Sequence, residues 1–476
     1  MKKLTCCSMI TLLVLMLIGL CFLSTPASAD YQKKFPYIRP MIFVHGYTGS
    51  AQQFEWQAMR FASNGYPQDY LNAFEYDSPN YATTAPAVLA ALDARIDAIL
   101  QETGADKVEL LGHSLGTFVS QSYLSNPTRA TKVAHYVNLD GRAATSLPGG
   151  VPTLALWAEF RFVPGSPIPT IVGAENYVLP KQPHNETATS PESFALMYKF
   201  FTGHDPKSTS VLPDRDGHIN LAGRAVLFPQ NAGVAGATVE IYKLNGETGA
   251  RKHRHPEATY PIDESGNFGP FRARAGEYYE INIARPGGNH HFYLEPRIRS
   301  DYFIRLNTSP VGSGLGALMT RNPDQTNLII TRNREWLGDQ NDGFNDILTI
   351  NGINVVNAAN AYASHMLVAY FICDWDSDHI NNLTPPIPVP ALNTTFLSAV
   401  DVYLRGATPP DATISIVSIP RGNCGAMHGI NVPNWAIINE GNTFSESVSV
   451  QLDDYIEGRC DEKWTAHQGH GHDSWH

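Results

Sequence analysis

The spacing of apolar positions changes about two fifths of the way along this chain. Up to about residue 203, short apolar runs alternate with stretches in which apolar residues recur at helical spacing, as over Thr84–Glu102. This alternation is typical of strand–helix–strand units around a mostly parallel sheet. The strands we predict are Met41–Val44, Asn72–Tyr76, Lys107–Leu111, Lys132–Asn138, Thr153–Trp157 and Thr170–Val172, and a helix over Pro191–Phe201 is expected to close the unit.

Beyond Asp205 the helical spacing stops and short alternating strands follow. Leu221–Phe228, Ala237–Tyr242 and Tyr278–Ile283 resemble a small transthyretin-like sandwich, and a third region begins near Gly312. Alternating short strands separated by turn residues are typical of β-sandwiches. The predicted fold class is therefore an α/β domain followed by two all-β sandwiches, with the α/β domain at 30–215, the first sandwich at 216–309 and the second at 310–476.

The first 29 residues have the features of a secretory signal peptide. Lys2 and Lys3 precede an apolar run over Met9–Leu23, and Ala27-Ser28-Ala29 supplies a cleavage site before Asp30. Cleavage removes two lysines and no acid, so the net charge changes from −11 to −13, which argues against nucleic acid as a partner. We expect a soluble protein, secreted to the extracellular space or the periplasm.

Three of the six cysteines leave with this segment, and Cys373, Cys424 and Cys460 remain. An oxidising compartment favours a disulfide between one pair. We expect Cys424 to pair with Cys460 and Cys373 to remain as a buried thiol.

The motif with the clearest chemistry is Gly112-His113-Ser114-Leu115-Gly116, which follows the apolar run Val108–Leu111 and precedes a helical stretch. A G-x-S-x-G between a strand and a helix predicts a nucleophile elbow, a sharp turn that presents one serine hydroxyl above a sheet. The glycines are needed because neighbouring backbone passes too close for a side chain. Ser114 is the predicted nucleophile.

Activation of Ser114 requires a base that a carboxylate orients. Asp140 lies just past the apolar run Val133–Leu139 of the fourth predicted strand, and Glu159 follows the next strand. Both could lie at the carboxyl edge of the sheet. Arg161 offers Glu159 an alternative role in an ion pair, so we favour Asp140 as the acid.

For the base, His184 precedes the closing helix and is the histidine we predict to act on Ser114. His204 and His218 lie at or beyond the domain boundary, and we expect them to be solvated loop residues. His113 lies inside the elbow motif, but its backbone direction should aim it away from the hydroxyl. The predicted triad is therefore Ser114, Asp140 and His184.

A tetrahedral oxyanion needs two preorganised backbone N–H donors. One is supplied by the residue after the nucleophile, Leu115, and the other by a loop that follows an early strand. The loop His45-Gly46-Tyr47-Thr48-Gly49 follows the first predicted strand. We predict an oxyanion hole formed by the amides of Tyr47 and Leu115.

These segments, together with Val137-Asn138-Leu139-Asp140-Gly141, resemble secreted lipases and esterases of the α/β-hydrolase fold, in particular the group in which β-sandwich modules follow the hydrolase domain. The resemblance implies an acid on the strand after the elbow helix, which strengthens Asp140 over Glu159. It also implies that the β-domains help to bind lipid and that no cofactor is required.

The expected activity is hydrolysis of fatty acyl esters through an acyl-enzyme, as in a lipase or carboxylesterase that works at a lipid–water interface. An alternative is a polymer-directed esterase, acting on a polyester or an acylated polysaccharide. Surface tryptophans such as Trp336, Trp375 and Trp435 would suit a carbohydrate polymer. A third hypothesis is an exported adhesion protein with a decayed hydrolase domain, against which the complete Ser, acid and His set argues.

Two acidic segments, Asp374–Asp378 and Asp339–Asp346, place oxygen ligands at alternate positions, as a calcium loop does. Neither completes the EF-hand pattern, and solvated acidic turns are the alternative. Structural calcium therefore remains an open hypothesis. The histidines of the tail, His467 to His476, could bind a transition metal or lie in a frayed terminus.

Overall fold

The computed structural model describes residues 38–453 except 342, 385–386, 388, 393, 423–426 and 439–444. The predicted signal peptide, the Cys424–Cys460 pair and the tail histidines lie outside the described residues. Cys373 is described, and it is a free, buried thiol as expected. Within the described ranges no helix has both the length and the apolar composition that a bilayer span requires.

The N-terminal part is built on a six-stranded sheet in the order β2-β1-β3-β4-β5-β6, in which every neighbouring pair is parallel. This confirms the predicted α/β class. The strands are β1 Met41–Val44, β2 Leu71–Phe74, β3 Val108–His113, β4 Val133–Leu139, β5 Thr153–Ala158 and β6 Glu175–Leu179, and the helices are α1 Glu55–Ser63, α2 Tyr81–Thr103, α3 Leu115–Leu124, α4 Pro127–Ala130, α5 Glu186–Thr189 and α6 Pro191–Thr202.

Helices cover both faces of this sheet, and for that reason its central strands are buried and mostly apolar. On one face, α1 and α6 pack Phe61 and Phe194 into a core with Phe43 of β1. On the other face, α2 and α3 contribute Leu92 and Val119. Burial on both sides holds the carboxyl ends of the strands at one common edge of the sheet.

One predicted strand is wrong. Thr170–Val172 forms only an isolated bridge, between Ile171 and Ala144, and the sixth strand is instead Glu175–Leu179. β6 is an edge strand that begins with the exposed Glu175 and is fully buried only at Leu179. An edge strand needs apolar residues on fewer positions, so its pattern was weaker than that of Thr170–Val172.

In the rest of the described chain the regular structure is mainly β-strands, as predicted, with a few short 3-10 helices. The strands are β7 His218–Leu227, β8 Ala232–Gly233, β9 Thr238–Lys243, β10 Ala258–Pro261, β11 Asn267–Arg274, β12 Tyr279–Ala284, β13 Gly288–Leu294, β14 Asp301–Thr308, β15 Leu328–Thr331, β16 Ile347–Ile350, β17 Ile353–Asn354, β18 Ala369–Cys373, β19 Leu397–Asp401, β20 Thr413–Ile419, β21 His428–Pro433 and β22 Ser445–Gln451.

The two β-regions share one sheet. An eight-stranded sheet runs β10-β9-β12-β13-β22-β15-β18-β19, and two four-stranded sheets accompany it, one containing β7 and β14 and the other containing β16 and β20. The joint is β22, which pairs in parallel with β13 on one side and with β15 on the other. The β-region that follows the α/β domain is therefore continuous through hydrogen-bonded strands.

Buried ion pairs attach the α/β domain to this β-region. Glu75, just after β2, accepts hydrogen bonds from Arg224 and Arg305 at 2.6 and 2.8 Å. Burial raises the pKa of Glu75, but the two guanidinium groups outweigh it and lower that pKa to about 2. Arg297 reaches Glu55 of α1 at 2.8 Å. Charges buried this deeply keep their partners close, because separation would leave them unpaired.

Candidate functional site

Ser114 lies at a sharp turn between β3 and α3, with φ 53° and ψ −121°. A positive φ is costly for a residue with a side chain and is held here by the surrounding backbone. A Cβ added to Gly112 would lie 2.6 Å from the Gly116 carbonyl oxygen, and one added to Gly116 would lie 2.1 Å from that of Val44. The steric reason for both glycines is therefore the one predicted from the sequence.

The loop after β1 lies directly against this turn. A Cβ added to Gly46 would lie 2.9 Å from the Ser114 Cβ. His45 is buried and stacks on Tyr76 at 4.5 Å, which fixes the start of the loop. Within the described chain, no hydrogen bond occupies the backbone N–H of Tyr47 or of Leu115. Both amides are therefore available to a ligand, as an oxyanion hole requires.

The structure brings Asp140 next to the elbow. The Ser114 amide donates to the Leu139 carbonyl at 3.0 Å, and the Asp140 amide donates to the Leu156 carbonyl at 2.7 Å. The register of neighbouring parallel strands thus places Ser114 and Asp140 side by side at the carboxyl edge. Asp140 also adopts a positive φ, 40°, and Gly141 follows it in contact with Thr117.

Asp140 binds the histidine that the sequence predicts. His184 Nδ1 lies 2.6 Å from Asp140 Oδ2, and both side chains are buried. Burial raises the pKa of Asp140, but the hydrogen bond and charge of His184 outweigh it, and the pKa of Asp140 lies below its usual value. Asp140 is therefore held as a carboxylate, the form that orients an imidazole.

The second oxygen of Asp140 has two further donors. Its Oδ1 accepts from the Ala158 amide at 3.1 Å and from the Arg161 guanidinium at 2.5 Å. Arg161 therefore pairs with Asp140, and not with Glu159 as in the alternative role that the sequence offered for Glu159. Glu159 is exposed and accepts from the Lys181 amide at 2.5 Å. The structure thus does not place the rival acid beside His184.

His113 packs against the same imidazole. The rings of His113 and His184 are 4.5 Å apart. Gln53 Nε2 donates to His113 Nδ1 at 2.7 Å, so His113 Nε2 carries the proton that it donates to the His184 carbonyl at 3.0 Å. Burial, then the nearby His184, lowers the pKa of His113 to about 3. His113 is thus neutral, and its hydrogen bond holds the backbone of His184.

The other two histidines are not part of this site. His204 is exposed, as expected. His218 is half-buried and begins β7, so it lies in a strand and not in a loop. The backbone amide of His218 binds Asp216 at 3.1 Å, which accounts for its position.

Four residues at this site had no signal in the sequence. Gln53, in the turn before α1, contacts His113, Asn185 Oδ1 and the Gly46 amide. Arg161 binds Asp140. Glu335 and Met366, from the β-region, contact the backbone at and after His184.

The three tryptophans do not form an exposed platform. Trp336 is completely buried, and Trp435 is half-buried with its ring stacked on His291 at 4.4 Å. Trp375 is half-buried and its indole N–H donates to the Val400 carbonyl at 3.1 Å. The expectation of surface aromatics for a carbohydrate polymer is wrong for these residues, because all three pack into the β-region.

The acidic segments differ in what they can bind. Asp346 accepts from Arg332 at 3.2 Å, from Arg421 and from the Leu337 amide, so its carboxylate is saturated. Asp374, Asp376 and Asp401 bring carboxylate oxygens within 4.8 Å of one another. Asp374 and Asp401 already accept backbone N–H groups there.

Three family models match successive parts of the chain. A model described as Lipase (class 2) matches residues 38–132, which include the loop after β1 and the elbow. A model described as Lipase C-terminal domain matches 217–311, and another C-terminal-domain model matches 314–456.

Similar solved structures include several lipolytic enzymes. Aspergillus fumigatus lipase B is 18% identical over 39% of this chain and 57% of its own, with a TM-score of 0.28, so the chain spans little more than half of that enzyme. Bacillus licheniformis lipase BlEst2, in its propeptide form, is 12% identical over 84% of this chain and 93% of its own, with a TM-score of 0.27. Phospholipase PlaB from Legionella pneumophila is 9% identical over 57% and 94%, with a TM-score of 0.26.

Because these TM-scores are low, the similarity to lipases rests on the family models and on the fold. The parallel sheet with helices on both faces is the fold that an α/β-hydrolase requires, and the β-region follows it where the C-terminal models match. The N-terminal sheet therefore has the architecture of an α/β-hydrolase, and the chain is similar to class 2 lipases over residues 38–132 and to lipase C-terminal domains over residues 217–311.

Proposed function

We propose that this protein is a serine hydrolase that cleaves fatty acyl esters through an acyl-enzyme. The observation that carries the proposal is the buried 2.6 Å contact between His184 Nδ1 and Asp140 Oδ2, beside the strained turn that carries Ser114. The order Ser114, Asp140, His184 along the chain is that of a triad in an α/β-hydrolase, and the contact between Asp140 and His184 supports their proposed roles.

In the proposed reaction, the Ser114 hydroxyl attacks the ester carbonyl while His184 accepts its proton. Asp140 stabilises the imidazolium that forms. The oxyanion of the tetrahedral intermediate accepts hydrogen bonds from the backbone amides of Tyr47 and Leu115. The intermediate collapses to a Ser114 ester, and His184 returns the proton to the departing alcohol. Water then repeats the sequence, releases the carboxylic acid and regenerates Ser114, so the route requires no cofactor.

The surface beside the triad favours a lipid substrate. Phe162 lies 4.6 Å from the His184 ring and is 40% exposed, and its neighbour Val163 is 66% exposed. Tyr47, in the loop after β1, and Phe118, in the helix after the elbow, are also exposed. We define these four residues as the apolar rim. Exposed apolar clusters of this kind typically mark binding surfaces, and an acyl chain is the matching part of an ester.

A chain-length series tests the substrate class. We expect kcat/KM for p-nitrophenyl esters to rise from acetate to octanoate, since each buried methylene contributes about 0.8 kcal/mol of transfer free energy. Val163→Ser should reduce hydrolysis of emulsified esters more than that of acetate. Ile380→Ser, which removes an exposed apolar side chain outside the rim, is the control. A preference for a polyester or acetylated polysaccharide, with no gain from chain length, would favour the polymer-directed alternative.

Arg161 should tune the pH range of this reaction. In Arg161→Gln we expect the acid limb of the kcat/KM profile to move to higher pH by roughly half to one unit, because a guanidinium near Asp140 no longer opposes charge on the imidazole. Arg95→Gln, which alters an exposed pair with Glu102, should leave the profile in place. An unchanged acid limb in Arg161→Gln would show that this ion pair does not influence the base.

We also propose that the protein is exported, on the basis of its N-terminal sequence. N-terminal sequencing of protein recovered outside the cytoplasm should start at Asp30. A chain that keeps Lys2 and Lys3 in that fraction would be incompatible with cleavage.

A further inference from the structure

The backbone at His184 is held by side chains from the β-region. The His184 amide donates to the Met366 sulfur at 3.4 Å. The next two amides, of Asn185 and Glu186, donate to the two carboxylate oxygens of Glu335, the second at 3.0 Å. Three consecutive N–H groups therefore bind residues that lie about 150 to 180 positions later in the chain.

The opposite side of the same backbone is held by the α/β domain. The His184 carbonyl accepts from His113 Nε2 at 3.0 Å and from Thr187 Oγ1 at 2.7 Å. Gln53 connects this side to the Asn185 side chain at 3.2 Å. With contacts on both sides, a change in Glu335 would shift the imidazole relative to Asp140 and Ser114.

Glu335 is itself immobilised. Its carbonyl accepts from Arg332 and Arg421, each at 2.5 Å, and it is completely buried. Arg421 and Arg334 also pair with Glu186, and Arg332 and Arg421 pair with Asp346. Two carboxylates and three guanidinium groups thus form a buried cluster that holds the Glu335 backbone and links the His184 loop to the β-region.

We propose that Glu335 is a positioning residue for ester hydrolysis, through which the β-region sets the place of the catalytic imidazole. The inference rests on the proposed function and extends it. The β-region then contributes to the chemical step itself. It does so even for esters that are too small to contact the β-region. A carboxylate suits this role because it accepts two adjacent N–H groups at once. Burial raises the pKa of Glu335 while its hydrogen bond from the Asn185 amide lowers it, and in the ionised form its charge favours the imidazolium.

The charge of Glu335 is one of several that act on His184. Asp140 binds the imidazole directly, and Arg161 binds the other oxygen of Asp140. Glu186 is a second acid close to His184 in the sequence. His113 is neutral. Removal of the Glu335 charge alone should disfavour the imidazolium, so the acid limb of the pH profile should move to lower pH, opposite to Arg161→Gln.

The test uses Glu335→Gln and Glu335→Ala in the full chain with p-nitrophenyl acetate, a small soluble ester. Active sites are titrated with a fluorophosphonate over long incubation, so that kcat is expressed per functional site. We expect kcat to fall about 10- to 100-fold, more in the alanine variant, because small displacements of a catalytic group have effects of this size. KM should stay within about twofold, because the contact is not to substrate.

Glu280→Gln is the matched control. Glu280 is a completely buried carboxylate in the β-region, paired with Arg251 and His291. Its loss should lower the melting temperature but leave kcat per site and the acid limb unchanged. If the Glu335 variants behave in the same way, the inference is overturned and Glu335 is merely structural.

Two further results complete the test. If neither Glu335 variant folds, Met366→Leu removes the acceptor of the His184 amide at similar volume, and kcat per site should fall several-fold at constant KM. An unchanged kcat in Met366→Leu would then overturn the inference. Absence of fluorophosphonate labelling at Ser114 in the wild type would instead defeat the proposed function. Labelling at Ser114 with normal Glu335 variants defeats this inference alone.

Discussion

Ser114→Ala is expected to lower kcat/KM for p-nitrophenyl butyrate by about 10⁴-fold or more, since loss of a nucleophilic serine removes the acyl-enzyme route. The substitution removes one hydroxyl from a half-buried residue at a turn, so we expect the melting temperature to change by no more than a few degrees. Steady-state kinetics and thermal unfolding of the purified variant measure both effects.

Ser122→Ala is the control, because Ser122 lies on the same helix, α3, away from the turn. It should retain wild-type activity. Preorganised donors alone leave only a small residual rate. If Ser114→Ala keeps more than about one hundredth of the wild-type rate, that rate exceeds the residual one, and another nucleophile must act.

Asp140→Asn should lower kcat by about 10⁴-fold while the protein stays folded. An asparagine can still accept hydrogen bonds from the Ala158 amide and from Arg161 through its side-chain carbonyl oxygen. Its NH₂ group would then face His184 Nδ1 as a donor and hold the imidazole in the wrong tautomer, with the proton on the nitrogen that must accept from Ser114. Rate measurement at the pH optimum, with thermal unfolding alongside, tests this expectation.

Glu159→Gln is the comparison that matters for Asp140, since both acids follow strands at the same edge. Glu159 is exposed and accepts a hydrogen bond from the Lys181 backbone amide. We expect near-normal kcat in that variant. A larger loss in Glu159→Gln than in Asp140→Asn would reverse the assignment of the acid.

The elbow could be predicted from sequence because its constraints are local. A serine at φ 53° needs small residues two positions before and after it, and those positions are Gly112 and Gly116. Asp140 could be predicted because parallel strands end at one edge and residues that follow them become neighbours. The order of apolar runs therefore placed both Asp140 and Glu159 at this edge, and triad logic with the family resemblance favoured Asp140.

The contacts that support His184 could not be predicted because they depend on tertiary packing. Glu335 and Met366 follow His184 by more than 150 residues and lie in segments whose pattern indicates only β-structure. Arg161 has a nearer acid in sequence, Glu159, yet binds Asp140. Burial of Arg332 and Arg421 likewise depends on partners that composition does not identify.

The shared sheet of the β-region escaped prediction for a related reason. Periodicity shows where a strand lies and which face is buried, but not which strand pairs with it. The sequence of β22 does not identify its partners, and only the fold shows it between β13 and β15.

The most direct test of the central claim is to label the active wild-type protein with a fluorophosphonate and locate the adduct by peptide mass spectrometry. The account predicts one adduct per chain, on Ser114, with loss of esterase activity in proportion to labelling. An adduct on another residue, or full activity after Ser114 is completely labelled, would contradict it.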